Sequence, residues 1–178
     1  MMLEHNELIE RLKQVKMLIT DVDGVMTDGG IYLGIREELK RFHTSDGAGI
    51  KYLIHNDIIV AFITGRESSV VDRRAHELGV REVHQRATRK LPVFEELLRK
   101  YEISPRQVAY VGDDLPDIPL LKRAGVAFAV ANACNEIKGM AHYVTRASGG
   151  NGAVREIAEL ILRAQDKWTT VVNRYLEE

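Results

Sequence analysis

A short apolar segment that ends in two aspartates constrains this chain more than any other feature. Residues 17–20 are followed by Asp21, Asp23 and Gly24. A run this short, closed by glycine, is typical of a buried parallel strand. Side chains alternate along a strand, so both carboxylates leave its carboxyl end on one side. The pattern predicts either a hard cation such as Mg²⁺ between the carboxylates or a solvated Asx-turn.

The composition excludes several classes of function. The 178 residues include 25 basic and 26 acidic side chains, for a formal net charge of −1, so we expect no nucleic-acid-binding surface. No apolar run approaches the length of a membrane span, and residues 1–7 lack the basic and apolar regions of a signal peptide. The single cysteine, Cys134, excludes an internal disulfide and a cysteine-based metal cluster. We therefore expect a cytoplasmic protein without a membrane partner.

Strand and helix patterns alternate along the chain. The predicted strands are 17–20, 57–64, 82–84, 108–111, 126–130 and 143–145. The predicted helices are 4–16, 46–55, 68–78, 89–101, 118–123, 135–140 and 153–164. Asp46 and Ser68 are expected to cap two of them. The alternation predicts an α/β fold with a doubly wound, mostly parallel sheet and helices on both faces, in a single domain over residues 1–178.

One insertion interrupts this alternation, at residues 29–43. Two short β-prone segments flank residues 34–37, which predicts a β-hairpin that projects from the end of the first strand. Its large apolar side chains are Ile31, Tyr32, Leu33 and Phe42. Such side chains are too apolar to stay in water, so we expect them to pack on another subunit.

Three predicted strands end in polar residues, which must share one edge of a parallel sheet. These residues are Asp21 and Asp23, then Thr64, Gly65 and Arg66, then Asp113 and Asp114. Lys90 opens a helix that faces the same edge. Phosphoryl transfer needs an in-line nucleophile, a cation that bridges phosphate oxygens, and donors for the remaining oxygens. The set of residues can supply all three.

Each residue has a chemical interpretation and a structural one. Asp21 can attack phosphorus, and Asp23 can protonate the leaving alkoxide and then activate water. Asp113, alone or with its neighbour, can complete an oxygen-rich Mg²⁺ site, while Thr64 and Lys90 hold the phosphate. Alternatively, these residues are turn formers, strand ends and a solvated helix cation. The combination in this order favours the chemical interpretation.

These motifs together resemble those of the haloacid dehalogenase-like phosphohydrolases. The motifs are Asp21-Val-Asp23-Gly24, Thr64-Gly65, Lys90 and Gly112-Asp113-Asp114-Leu-Pro-Asp117. Further segments resemble the 3-deoxy-D-manno-octulosonate 8-phosphate (KDO 8-phosphate) phosphatases, and the similarity extends over residues 12–165. They are Asp46-Gly-Ala-Gly-Ile, Ile63-Thr-Gly-Arg66, Val111-Gly-Asp-Asp-Leu115, Tyr143-Val-Thr-Arg146 and Gly149-Gly-Asn-Gly-Ala-Val-Arg-Glu156.

The resemblance implies a Mg²⁺-dependent phosphatase of lipopolysaccharide precursor synthesis. In such an enzyme Asp21 is the nucleophile and Asp23 the acid and base. Mg²⁺ is bound by Asp21, the main-chain carbonyl of Asp23, and Asp113. Asp117 then orients the catalytic Lys90, and Asp114 lies beside the metal.

The resemblance also implies which residues recognise the substrate. A sugar acid carries a carboxylate, which a guanidinium group binds well. Arg66 and Arg74 occupy positions that face the sugar acid in similar proteins. Relatives that prefer nine-carbon, sialic-acid-like 9-phosphates typically carry Glu at the position of Arg66. Arg66 therefore favours KDO 8-phosphate, and the 9-phosphates are the alternative substrates.

The family also suggests an assembly, because its members lack a large cap domain and form tetramers in which a neighbour covers each site. The hairpin and the C-terminal tail, residues 166–178, are then expected at subunit interfaces of a homotetramer. The tail's large apolar groups are Trp168, Val171 and Tyr175. They fit equally a helix docked on its own subunit. A receiver-like phosphoacceptor, which Asp23 disfavours, and a non-catalytic scaffold are the other classes left open.

Overall fold

The computed structural model describes residues 3–34 and 38–177, and a parallel sheet lies at its centre. The strands are β1 Met17–Thr20, β2 Tyr32–Leu33, β3 Glu38–Leu39, β4 Ile59–Ile63, β5 Glu82–His84, β6 Val108–Gly112, β7 Val126–Ala129 and β8 Tyr143–Val144. Six of them form the sheet, in the order β5-β4-β1-β6-β7-β8, with every neighbouring pair parallel. The predicted α/β fold with a parallel sheet is confirmed.

The helices pack in two groups beside this sheet. They are α1 His5–Leu12, α2 Thr44–Ile54, α3 Ser69–Leu78, α4 Lys90–Lys100, α5 Ile118–Leu121, α6 Asn135–Met140, α7 Ala153–Ala164 and α8 Trp168–Leu176. Helix α7 contacts α1, α2 and α8, whereas α5 contacts α4 and α6. Helix α7 buries an apolar face on the core, as its spacing of apolar residues predicts. None of the helices that the structure describes could span a membrane.

The order of the strands creates a switch point beside β1. The chain moves from β1 to β4 and β5 on one side, and β6, β7 and β8 extend the sheet on the other. β1 pairs on both edges and all of its residues are buried, which agrees with its continuous apolar run. Ligands bind parallel sheets at such switch points, outside the carboxyl ends of the strands.

The prediction that Asp46 caps its own helix is wrong. Helix α2 begins two residues earlier, and the ring of His43 accepts a hydrogen bond from the Ser45 amide there. The buried Asp46 carboxylate instead accepts hydrogen bonds from the amides of Gly152, at 3.1 Å, and Arg155, at 2.9 Å. These amides are at the start of α7, so Asp46 caps a helix that is remote in the sequence.

Ser68 does stand at the N-cap position of α3, but its side chain makes no capping hydrogen bond. The C-terminal end of α3 agrees with the sequence pattern, since Gly79 adopts φ 78° there. Element ends differ elsewhere by a few residues. The longest shortening is in α1, which ends at Leu12 although its pattern extends to residue 16.

The insertion contains two short antiparallel strands, with Tyr32 opposite Leu39. The predicted turn at residues 34–37 falls largely on 35–37, which lie outside the described residues. Tyr32 and Leu33 are 59% and 79% exposed, as expected for apolar side chains that project from the fold. Phe42 differs from this prediction, because it is half-buried against the core and the Arg74 guanidinium lies 5.7 Å from its ring centroid.

The C-terminal segment is a helix that packs on its own chain, which is one of the two expectations for the tail. Val171 is buried in the core, and the ring of Trp168 lies 6.0 Å from that of Tyr52 in an edge-to-face arrangement. The Tyr175 ring also lies near Tyr52, yet much of its surface remains exposed. One face of α8 is therefore covered within the subunit, and the other is open to solvent.

Candidate active site

The two central strands place carboxylates side by side. In the parallel pairing of β1 with β6, Thr20 lies opposite Val111, and the Asp21 amide donates a hydrogen bond to the Val111 carbonyl. Asp21 and Asp113 consequently emerge from neighbouring strand ends at the switch point. β4 runs along the other edge of β1 and ends just before Thr64. The predicted convergence of polar strand ends is present.

Asp21, Asp113 and Asp117 form a compact acidic group. Each places one carboxylate oxygen within 4.8 Å of the others. Burial raises the pKa of Asp21 to about 6. Burial, together with the negative charge of Asp21, raises the pKa of Asp113 to about 7. Carboxylates that lose hydration and repel one another provide a favourable environment for a hard divalent cation.

The oxygens of Asp117 are already occupied by protein donors. Its Oδ1 accepts hydrogen bonds from Lys90 Nζ and from the Tyr110 hydroxyl, both at 2.6 Å. Its Oδ2 accepts from the amides of Asp113, at 2.9 Å, and Asp114, at 3.3 Å. A cation would therefore find its ligands on Asp21 and Asp113, while Asp117 organises the residues around it. The side chain of Asp114 is exposed and lies outside the acidic group.

Lys90 connects two of the acidic side chains. It is buried at the first position of α4, with Nζ 2.9 Å from Asp21 Oδ1 and 2.6 Å from Asp117 Oδ1. Burial alone would lower the pKa of Lys90, but the facing carboxylates of Asp21 and Asp117 outweigh burial and raise this pKa. The amine therefore stays cationic beside Asp21, and the predicted contact between Asp117 and Lys90 is present.

The residues after β4, Thr64 and Gly65, lie next to the end of β1 and provide polar groups for a ligand. Thr64 is buried, its amide donates to the His84 carbonyl, and its carbonyl accepts from the Ala87 amide. No hydrogen bond among residues 3–34 and 38–177 uses the Thr64 hydroxyl, so this group is available to a ligand. Gly65 is exposed, and a Cβ built there would meet no atom within 4 Å. The backbone after Thr64 is therefore accessible to a ligand.

Asp23 lies in the turn after β1, and its carboxylate has different partners from that of Asp21. Its Oδ1 accepts a hydrogen bond from Lys40 Nζ, and its Oδ2 lies 3.7 Å from Arg66 Nε. None of the hydrogen bonds among residues 3–34 and 38–177 uses the Asp23 carbonyl. Gly24, the next residue, adopts φ 93°, and a Cβ there would lie 2.1 Å from Asp113 Oδ2. The turn therefore requires glycine.

Of the two arginines predicted at the site, only Arg66 contacts one of the predicted catalytic residues, Asp23, among the residues that the structure describes. Its guanidinium lies near Asp23 and also donates to Glu38 Oε1 at 3.2 Å. Arg74 instead pairs with Glu77 at 2.8 Å and lies over the Phe42 ring. No contact between described residues joins Arg74 to Asp21, Asp23 or Lys90.

Sequence reasoning missed Glu38 and Lys40. Both come from the insertion, whose apolar residues alone entered the interpretation of the sequence. The signal was weak: Glu38 and Lys40 carry opposite charges two residues apart in a β-prone segment, but the strand formed there, β3, ends at Leu39. Their partners could not be identified from spacing alone, since Asp23 is 17 residues before Lys40.

Comparison with known proteins agrees with this geometry. The protein family described as haloacid dehalogenase-like hydrolase matches residues 80–157. A protein of Yersinia pestis, named 3-deoxy-D-manno-octulosonate 8-phosphate phosphatase KdsC, is 49% identical over 163 residues, which cover 91% of this chain and 87% of that protein.

Solved structures extend the comparison to the fold. The crystal structure of the Yersinia pestis phosphatase has a TM-score of 0.90 at 49% identity, covering 91% of this chain and 88% of that one. The Moraxella catarrhalis phosphatase, crystallised with magnesium ion, phosphate ion and KDO, has a TM-score of 0.94 at 40% identity. That match covers 97% of this chain and 99% of the other.

The acidic group predicts a pH-dependent response to divalent cations. In the metal-free protein, Asp21 and Asp113 retain protons up to about pH 6 and 7, whereas in the unfolded chain they lose them near 3.8, the ordinary pKa of an aspartate. The stability of the metal-free fold therefore decreases as the pH rises through this range. A cation must displace the same protons, so its stabilising effect increases with pH.

We expect saturating MgCl₂ to raise the melting temperature more at about pH 8 than at about pH 5. Differential scanning calorimetry at both pH values measures this difference. Asp113→Asn should reduce the shift at both values, whereas Asp72→Asn, on the exposed side of α3, should leave it unchanged. An equal shift of the wild-type protein at both pH values would contradict the prediction.

Proposed function

The chain belongs to the 3-deoxy-D-manno-octulosonate 8-phosphate phosphatase family of haloacid dehalogenase-like hydrolases, and we propose that the aspartates after β1 carry out its reaction. It is a Mg²⁺-dependent phosphatase that hydrolyses KDO 8-phosphate to KDO and phosphate. One observation carries the assignment of roles: Asp21, paired with the buried Lys90, lies beside Asp113 at the switch point of the sheet. A phosphoacceptor that stores its phosphate and a non-catalytic scaffold are both disfavoured by this membership.

Asp21 is the nucleophile in this proposal. One of its carboxylate oxygens attacks phosphorus, the bond from phosphorus to the sugar oxygen breaks, and an aspartyl-phosphate forms on Asp21. Asp23 enters this step as the carboxylic acid, gives its proton to the departing alkoxide and becomes a carboxylate. It then takes a proton from a water molecule, which attacks the aspartyl-phosphate and releases inorganic phosphate. Both side chains return to their starting states.

Three groups are proposed to hold Mg²⁺. They are the carboxylates of Asp21 and Asp113 and the main-chain carbonyl of Asp23. The buried, mutually repelling acids fit a divalent cation, and Asp117 is excluded because its oxygens already accept four hydrogen bonds. The bound ion offsets negative charge on the phosphoryl group as it transfers.

The remaining phosphate oxygens need donors, which we assign to three residues. Lys90 presents a cationic amine beside Asp21. Thr64 contributes its hydroxyl, and Gly65, where a Cβ would meet no atom within 4 Å, offers its backbone amide. Donors fixed in place before the reaction stabilise the transferring group without reorganisation.

Replacement of the nucleophile tests this assignment. Asp21→Asn should lower phosphate release from KDO 8-phosphate by at least about 1,000-fold, because an amide cannot form the aspartyl-phosphate. A colorimetric phosphate assay with MgCl₂ measures the release, and rapid quench followed by mass spectrometry should detect the phosphorylated residue in the wild-type protein only. Asp72→Asn is the matched control. Substantial activity of Asp21→Asn would refute the assigned nucleophile.

Arg66 is the residue we propose for the substrate carboxylate. Its side chain is 51% exposed, and it lies at the mouth of the site between Asp23 and Glu38. A planar guanidinium can bind a carboxylate through two parallel hydrogen bonds. A binding role for Arg74 would require its guanidinium to leave Glu77 and Phe42, so Arg66 carries this part of the proposal.

A charge reversal at Arg66 distinguishes the eight-carbon and nine-carbon substrates. Arg66→Glu should lower kcat/KM for KDO 8-phosphate by about 10- to 100-fold, since a bidentate charged contact is replaced by repulsion. Steady-state kinetics with KDO 8-phosphate and with a sialic-acid-like 9-phosphate give the ratio of specificities. A wild-type preference for the 9-phosphate would show that the alternative substrate class is correct.

We further propose a cytoplasmic homotetramer made of single-domain subunits. The hairpin and α8 then lie at subunit interfaces, because both expose large apolar side chains. These are Tyr32 and Leu33 on the hairpin and Tyr175 and Leu176 on α8. Clusters of this kind are usually covered by a protein contact.

A charge on the hairpin should disrupt this assembly. Leu33→Asp is expected to shift the mass measured by light scattering from a tetramer towards smaller species, because a carboxylate cannot be buried without a partner. Lys122→Asp, at an exposed position after α5, serves as the control. A monomeric wild-type protein at micromolar concentration would rule the tetramer out.

A further inference from the structure

The hairpin has a second role besides its proposed subunit interface, since its residue Lys40 binds Asp23, the side chain assigned to proton transfer. We propose that Lys40 is a positioning residue that keeps the Asp23 carboxylate oriented towards the leaving group. The proposal rests on the proposed function, because it requires Asp23 to move the protons. It makes the hairpin a working part of the active site of its own subunit.

The carboxylates of the site are held in different ways. Asp21 is held by Lys90, and Asp117 by Lys90, Tyr110 and two amides. Over residues 3–34 and 38–177, the Asp23 carboxylate accepts one hydrogen bond, from Lys40 Nζ. Its contact with Arg66 is a longer ion pair, at 3.7 Å. Lys40 is therefore the main restraint on the orientation of Asp23.

The burial of Lys40 makes this restraint rigid. Its side chain is 0% exposed, whereas the Arg66 side chain is 51% exposed. A lysine amine is buried only where fixed partners replace its water, and here these are Asp23 and, at 3.5 Å, Glu38. The amine cannot move freely, so the carboxylate bonded to it is confined as well.

Four alternating charges close into a ring at this point. Lys40 joins Asp23 to Glu38, Glu38 lies 3.2 Å from Arg66, and Arg66 returns to Asp23 at 3.7 Å. The four residues come from the turn after β1, from the hairpin and from the turn after β4. The ring therefore fixes the proton-transfer residue and the proposed carboxylate-binding residue relative to each other.

The hairpin has other attachments, so the loss of Lys40 should not release it. Thr27 and Phe42 form an antiparallel bridge at its base. Arg41 contacts Asp28 Oδ2 at 3.3 Å and Asn151 Oδ1 at 3.1 Å. A substitution at Lys40 can consequently change the orientation of Asp23 without unfolding the insertion.

Leaving-group dependence separates this role from a structural one. The alkoxide of KDO 8-phosphate needs a proton as it departs, whereas the phenolate of p-nitrophenyl phosphate does not. kcat/KM reports the steps through the first phosphoryl transfer for both substrates. Lys40→Met should lower kcat/KM for KDO 8-phosphate by about 10- to 100-fold and change it for the aryl phosphate by less than about 3-fold. An alkyl phosphate without a carboxylate should lose as much as KDO 8-phosphate, because its alkoxide also needs a proton; if that substrate is spared, the loss arises at Arg66 and the proposal is overturned.

Two further variants complete the experiment. Lys40→Arg keeps a cation and should recover part of the rate on KDO 8-phosphate. Lys122→Met removes an exposed lysine and should change neither value. An equal loss on both substrates, or no loss on either, overturns the proposal. If Lys40→Met fails to fold, as judged by circular dichroism, Lys40→Arg decides by the same criterion: a loss on both alkyl phosphates that spares the aryl phosphate supports the role.

The outcome also separates this proposal from the proposed function. A wild-type protein that releases phosphate from neither substrate would refute the function itself. Asp23→Asn provides the reference for selective loss on the sugar phosphate. If Asp23→Asn shows that selectivity and Lys40→Met does not, the function stands and Lys40 has no positioning role.

Discussion

The buried ion pair between Lys90 and the two acids that it bridges is the interaction on which this site depends. Asp21, Asp113 and Asp117 bring three carboxylates into one partly buried group, and Lys90 supplies one compensating charge there. Three full negative charges with one positive charge leave an excess of two, which a divalent cation offsets. Removing one member of a buried pair typically destabilises a protein by about 3–5 kcal/mol. Catalysis and stability therefore share the same contacts.

Two glycine-containing motifs without a catalytic role support the turn that carries Asp23. One is the loop that contains Gly149 and Gly150, and the other begins at Asp46. A Cβ at Gly149 would lie 1.7 Å from the Gly24 carbonyl oxygen, so the loop before α7 is in direct contact with the turn that carries Asp23. Gly150 makes a similarly close approach to Thr27 and Asp28. The distant cap by Asp46 holds the first turn of α7, and with it this loop. The motifs around Asp46 and Gly149 are therefore far from Asp23 in the sequence but together fix the turn in which Asp23 lies.

The fold and the convergence of Asp21, Thr64, Lys90 and Asp113 could be predicted because each depends on local patterns. Apolar runs identify buried strands, and the parallel sheet then brings their carboxyl ends together. Asp46 was misassigned because capping is judged from adjacent residues, whereas its partners are more than 100 positions away. Lys40 was missed for a related reason: strands of two residues carry almost no periodicity, and a charged pair acquires meaning only once the hairpin folds back onto Asp23.

The distant cap of α7 also has a consequence for how the protein is made. Asp46 leaves the ribosome long before Gly152 and Arg155, so the α2–α7 contact cannot form while the middle of the chain is being synthesised. Gly149 and Gly150, which pack against the turn that carries Asp23, are also synthesised only just before α7. The nascent chain therefore acquires a complete active site only after the α7 segment has left the ribosome and can pack against α2.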